Sequence, residues 1–147
     1  VYTGLLNFGI EWGLEKAVGW QGGSVNTTWL WISGKDASGT LGGYDLTISD
    51  IAGFQTLRMF ELWFQQDFWD DRISLRIGQL AADSKFVISD YAAWFIDGTF
   101  GWPAFMYLNL PEGGPASPMS TLGARVAIHP VEWLTFLIAV SQGNVYD

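Results

Sequence analysis

The sequence predicts an all-β chain whose antiparallel, two-faced strands form part of the wall of a transmembrane β-barrel, with one long inserted loop. Three observations carry this reading. Apolar and polar residues alternate from Thr3 to Glu15 almost without a break. The gaps between successive strands run short, long, short, long, short. The composition is strongly apolar and aromatic, yet no stretch is fit to cross a membrane as a helix.

The first strand, about residues 2–15, sets Gly4, Leu6, Phe8, Ile10, Trp12 and Leu14 against Thr3, Leu5, Asn7, Gly9, Glu11, Gly13 and Glu15. It exceeds the usual five or so residues of globular strands and suits a tilted membrane-crossing strand of about 9 to 11. In a soluble sandwich the apolar face would meet a second sheet; in a barrel it meets lipid while the polar face lines water. Alternation alone fits both.

Further strands are expected at about residues 24–34, 56–67, 72–80, 121–129 and 133–142, with a weak extra strand near Tyr44 to Ile48. The connections between the six then hold 8, 21, 4, 40 and 3 residues, the long loops being 35–55 and 81–120. Tight turns on one side of a membrane and long loops on the other produce this alternation. A structureless loop of 40 residues would count against a compact soluble domain.

In the third strand Phe60, Leu62 and Phe64 are expected to face lipid, with Met59, Glu61, Trp63, Gln65 and Asp67 toward water. Ile73, Leu75 and Ile77 oppose Ser74, Arg76 and Gly78. The fifth strand sets Leu122, Ala124, Val126 and Ile128 against Thr121, Gly123, Arg125, Ala127 and His129, and the sixth sets Leu134, Phe136, Ile138 and Val140 against Thr135, Leu137, Ala139 and Ser141. The second strand is ambiguous: Trp29 and Trp31 share one face, Leu30 and Ile32 the other. Trp20, Phe68, Trp69 and Trp133 gather at the short turns, where an indole suits the headgroup boundary.

Composition narrows the class. Of 147 residues 49% are hydrophobic and 16% aromatic, but only 15% are charged, so the chain needs an apolar solvent or a large partner. The longest apolar run, Gly98 to Pro111, contains Gly, Pro and Asn and would not hold a helix. Seven basic residues and a net charge of −8 leave no basic stripe for nucleic acid. The absence of cysteine rules out disulfides and thiolate metal sites and suits a Gram-negative envelope as well as a cytosol. The chain starts at Val1 without Met or an apolar leader, so a secretion signal is expected to have been removed or to lie upstream.

Specific motifs then point to a family. TLRMFELWFQQDFWDDRISLRIGQLAADSK at Thr56 to Lys85, LEKAVGWQGG at Leu14 to Gly23, ISDYAAWFIDGTFGWP at Ile88 to Pro103 and NLPEGGPASP at Asn109 to Pro118 together resemble the carbohydrate-selective porins of the OprB type. The resemblance implies a passive sugar channel in the bacterial outer membrane, built on a barrel of about sixteen strands. Six or seven strands would not close such a barrel, so this segment is expected to be under half of the mature porin. The implied partners are a mono- or oligosaccharide solute, outer-membrane lipid and lipopolysaccharide, with a homo-oligomer left open.

A sugar channel needs hydroxyl-pairing groups and aromatic faces at a wet constriction, with no catalytic step, cofactor or metal. The water-facing set supplies Glu61, Trp63, Gln65, Arg76 and Arg125 as pore-lining candidates, Trp63 as a stacking surface. Arg on a lipid face would cost about 2 to 4 kcal/mol near the midplane, so Arg76 and Arg125 are expected to point inward. Their plainer role would be electrostatic stitching to Glu61 or Asp67. The loop 81–120, which the resemblance implies narrows the channel, adds Asp83, Lys85, Asp90 and Trp94; Asp90 to Ile96 suits a helical turn capped by Ser89. Solvated acidic residues and ordinary loop packing explain these loop side chains equally well.

An enzyme finds little support. Asp70 and Asp71 are turn formers, Asp83 with Asp90 would be a weak glycosidase pair, and the one histidine precedes a proline. Two other readings stay open: a soluble carbohydrate-binding β-sandwich, which would purify without detergent, and a general or anion-selective porin.

Overall fold

In the computed structural model, which describes residues 2–36, 48, 49, 51, 53–107, 109, 110 and 113–145, six antiparallel strands form one sheet in chain order. They are β1 (Thr3–Gly13), β2 (Gly23–Gly34), β3 (Thr56–Phe68), β4 (Ile73–Leu80), β5 (Thr121–Val131) and β6 (Leu134–Ser141). No second sheet covers either face among the described residues, and no helix there is long and apolar enough to cross a membrane. The expected extra strand at 44–48 falls, apart from Ile48, outside the described residues.

β1 stops at Gly13, two residues short of its expected end, because Leu14–Val18 turns into a short helix, α1. Leu, Glu, Lys and Ala all favour helix. Gly19 closes it at φ +75°, donating to Glu15 O at 3.0 Å, while Trp20 N donates to Leu14 O at 3.4 Å. The β3–β4 turn is tighter still, with Trp69, Asp70 and Asp71 all in the left-handed region. Aspartate tolerates that conformation better than most residues, which accounts for the pair.

Register fixes the faces. Leu6 opposes Trp31 and Phe8 opposes Trp29, so both tryptophans of β2 join the apolar face of β1. Leu30 and Ile32 turn the other way and are each only 2% exposed. The outer face continues through Leu57, Leu62, Leu75, Ile77, Leu122, Phe136, Ile138 and Val140, all exposed. The inner face carries the loop between β4 and β5. Its dry part lies toward the long-loop end, where Leu30, Phe60 and Ala81 pack together with Leu5.

Two pairings slip in register: β5–β6 between Ile128 and Val131, beside its turn, and β2–β3 in mid-strand. The β2–β3 register slips between Thr28 and Trp29: Thr28 pairs with Glu61 but Trp29 with Met59, leaving Phe60 as the extra residue of a β-bulge. Phe60 therefore points inward with Glu61 and is buried, and Met59 lies opposite the outward Trp29. Both reverse the expectation that Phe60 faces lipid and Met59 water. Strict period two fails because a bulge consumes one residue without crossing the sheet.

The loop neck is fastened at both ends beside this bulge. Glu61 Oε1 accepts from Ala81 N at 3.2 Å where the loop leaves β4. Where it re-enters β5, Gln79 Nε2 donates to Ser120 Oγ at 2.8 Å, and the same amide reaches the bulge carbonyls of Met59 and Phe60 at 3.1 and 3.4 Å. Ala82 N to Pro115 O (2.7 Å) and Ser117 N to Asp83 Oδ2 (2.6 Å) close the neck on itself.

Two outcomes test this arrangement in the full-length protein. Ile77→Arg, on the outer face, should lower stability in lipid vesicles by about 2–4 kcal/mol if the site lies near the midplane. Asn7→Arg, on the inner face, should change it by about 0.5 kcal/mol or less; denaturant unfolding from vesicles reads both. Gln79→Leu strands the bulge carbonyls and should cost about 1–3 kcal/mol, with faster proteolysis at the freed neck near Ser120.

Candidate functional site

Cross-strand register arranges the inner face in rows. One runs Trp63, Gly78, Gly123, Ser141; the next runs Gln65, Arg76, Arg125, Ala139; a third runs Asp67, Ser74, Ala127, Leu137. Two arginines are thus direct cross-strand neighbours, an arrangement that repulsion alone would disfavour. Their surroundings compensate. Arg76 Nε donates to Gln65 Oε1 at 2.9 Å and Arg125 Nη2 reaches the same oxygen at 3.4 Å. Gln65 Nε2 in turn donates to Asp67 Oδ1 and Oδ2 at 2.9 and 3.1 Å. Stitching to acid does occur, but through a neutral amide that both cations share.

Trp63 holds Arg76 from the side. The guanidinium carbon stands 3.4 Å from the ring centroid, a cation–π contact at van der Waals distance. Gly78 makes this possible: at φ +139° it lies against β3, and a Cβ there would meet Trp63 Cα at 2.7 Å. With the Asn26 amide oriented to satisfy both its ends, its oxygen also accepts from Trp63 Nε1 at 3.3 Å. The ring is 5% exposed, so Trp63 is a brace for Arg76 and presents no open face of its own for stacking.

Arg76 and Arg125 line two cavities at once. One, about 370 Å³, lies between the loop and the wall, with Glu61, Lys85, Trp102 and Met106 around it. The other, about 460 Å³, opens toward the short-turn end and includes Gln65, Asp67, His129 and Thr135. Lys85 borders both. Arg125 is 8% exposed, and its Nε is buried with no hydrogen-bond partner among the described residues.

The structure therefore brings together Glu61, Trp63, Gln65, Arg76, Arg125 and Lys85. It leaves the other loop candidates elsewhere. Asp83 is spent on the neck, Asp90 lines a separate cavity of about 630 Å³ within the loop, and Trp94 is 85% exposed on its outer side. The turn expected at Asp90 to Ile96 is a single 3₁₀ turn, Ala92–Trp94, which Ser89 joins through its carbonyl, accepting from Ala92 N at 3.1 Å, and not through its hydroxyl. Sequence reasoning missed Gln79. Its only signal was a polar residue on the lipid face of an otherwise apolar row.

Metal ligands do not gather: among the described residues no group of three His, Asp or Glu side chains could hold an ion. A single sheet, apolar outside, polar and loop-covered inside, is the wall of a porin-type β-barrel. The chain belongs to the carbohydrate-selective porin family, OprB, whose profile matches residues 1–147. That family resides in the Gram-negative outer membrane. The fold is that of the solved high-pH structure of Pseudomonas putida OprB, with a TM-score of 0.83 at 19% identity, over 97% of this chain and 35% of that one. No curated protein matches significantly.

One loop carboxylate carries a pH dependence. The hydroxyl and the amide of Thr99 hydrogen-bond to Asp97, the amide at 2.9 Å, and hold its carboxyl below the usual range. A depressed folded pKa contributes stability above the unfolded pKa, lost as pH falls through the folded one. The Gly98–Phe100 turn should therefore stay closed down through ordinary carboxylate titration and loosen only at lower pH. Hydrogen-exchange protection at Thr99, taken relative to the intrinsic rate at each pH, checks this, and Asp97→Asn should leave that protection flat with pH.

Proposed function

We propose that the complete porin is a passive, carbohydrate-selective diffusion channel, and that the Gln65, Arg76 and Arg125 row is where this part of the wall contacts the passing sugar. The observation that carries the reading is the adjacent arginine pair at the boundary of two cavities, with Arg76 fixed in place by Gln65 and Trp63. Guanidinium donors suit sugar hydroxyls, and a pre-positioned fork loses little entropy on binding. Each contact is modest, as a conducting site requires. Glu61 acts by fastening the loop, Lys85 adds a third cation, and Asp83, Asp90 and Trp94 support the loop away from the row. The outer face takes outer-membrane lipid, with lipopolysaccharide in the outer leaflet.

The grouping of Arg76, Arg125 and Lys85 also favours a second reading, an anion-selective porin of the same build. Reversal potentials in a salt gradient separate the two. For the sugar channel, Arg76→Ala in the full-length protein should weaken the half-saturating glucose concentration about tenfold. Glu61→Gln should change flux less, through the loop. Liposome swelling and single-channel recording read both. Wild-type flux and saturation in Arg76→Ala would remove the arginine row from the selective site.

A further inference from the structure

We infer that the cavity of about 370 Å³ between the loop and the wall is an aglycone niche, taking the apolar substituent of a glycoside whose sugar lies at the arginine row. This rests on the sugar reading above and deepens it. The cavity falls within the roughly 300–1,000 Å³ of small-ligand sites. Its lining is divided. Arg76, Arg125, Glu61 and Lys85 bring charge to it, while Leu80, Phe86, Met106 and Leu110 give it an apolar part. A bare sugar, with hydroxyls on all sides, leaves that apolar part unmatched, and water is held poorly there.

The niche is written into the row pattern. Gly123 and Ser141 follow Gly78 across β4, β5 and β6, and Ala139 follows the two arginines, so the wall beneath the loop carries small side chains beside large ones. The loop keeps its distance because its neck is fixed at Glu61 and Gln79, and Trp102 Nε1 ties it internally to Phe86 O at 2.8 Å. The Arg125 guanidinium, which borders the cavity, would find a glycosidic or ring oxygen as an acceptor.

The experiment uses the full-length porin in planar bilayers and compares block of ion current by glucose and by phenyl β-glucoside. Partial burial of the phenyl ring should make the glucoside bind about tenfold more tightly than glucose. Ser141→Phe, filling the niche from the wall one row away from the arginines, should abolish that advantage and leave the glucose constant within about twofold. Met106→Ser, made in the loop and outside the barrel wall, should reduce it without touching strand pairing. Equal constants for the two solutes in the wild type, or an advantage that survives both substitutions, overturns the niche and leaves the sugar channel standing. A glucoside block without a glucose block, lost in both variants, keeps the niche and removes the sugar reading. Block by neither solute overturns both.

Discussion

A lipid bilayer offers no hydrogen-bond partner to a peptide group, and nearly every feature of this chain follows from that constraint. A strand that crosses the membrane must pair each N–H and C=O with its neighbours, which demands long, in-register, antiparallel ladders. Such ladders put successive side chains on opposite faces, so one face has to be apolar throughout and every charge belongs on the other. The register pairs Leu6 with Trp31 and Phe64 with Ile77 on the apolar outer side, and Gln65 with Arg76 and then Arg125 on the inner side. Where β3 breaks the ladder, the freed carbonyls of Met59 and Phe60 must be met from elsewhere. Gln79 meets them, which explains a carboxamide between Leu62 and Leu122 on a face otherwise hostile to it.

The same requirement shapes the arginine row. Placing two cations side by side is unfavourable until they find an acceptor, here Gln65, and, for Arg76, an aromatic face. Gln65 serves both guanidiniums and passes the interaction to Asp67, so the neutral amide distributes the charge without locking either arginine into a tight ion pair. A cation held this way keeps donors available to a solute, whereas a bidentate carboxylate would occupy them. Trp63 and Gly78 make the geometry rigid: the glycine lets the strands close up, and the ring supports the guanidinium from one side.

Much of the fold was legible because lipid imposes a simple code. Strict alternation in β1, β4, β5 and β6 identified the outward residues, and the spacing of turn residues separated the tight ends from the loop ends. Phe60 and Met59 were misassigned because a bulge in a run of large apolar residues leaves no trace in composition; only the register with β2 reveals it. The ambiguity of Trp29 and Leu30 had a different cause: both faces of β2 are apolar at its loop end, one exposed on the outer side and one beneath the loop. Arg76 and Arg125 were legible as inward charges, but not as neighbours, because cross-strand pairing depends on turn lengths. Trp63 was taken for a stacking surface, since nothing in the sequence shows that Gly78 would leave its face to Arg76. The loop was the least legible part: its single turns have no period, and its neck is held by bonds between residues about 35 positions apart.

The bulge is then more than an irregularity in one strand. By adding a residue at Phe60 it puts two consecutive side chains on the inner face, and these perform different tasks. Phe60 seals the dry end against Leu30 and Ala81, while Glu61 takes hold of the loop at Ala81 N. Gln79, drawn to the bulge by the carbonyls that the extra residue frees, takes hold of the other end at Ser120. A single local defect in the ladder therefore fixes both ends of the loop that stands over the arginine row. The separation between loop and wall, and with it the size of the cavity that Arg76 and Arg125 share, is set at the wall by β3 and β4 and kept by the ties within the loop, Ala82 to Pro115 and Trp102 to Phe86.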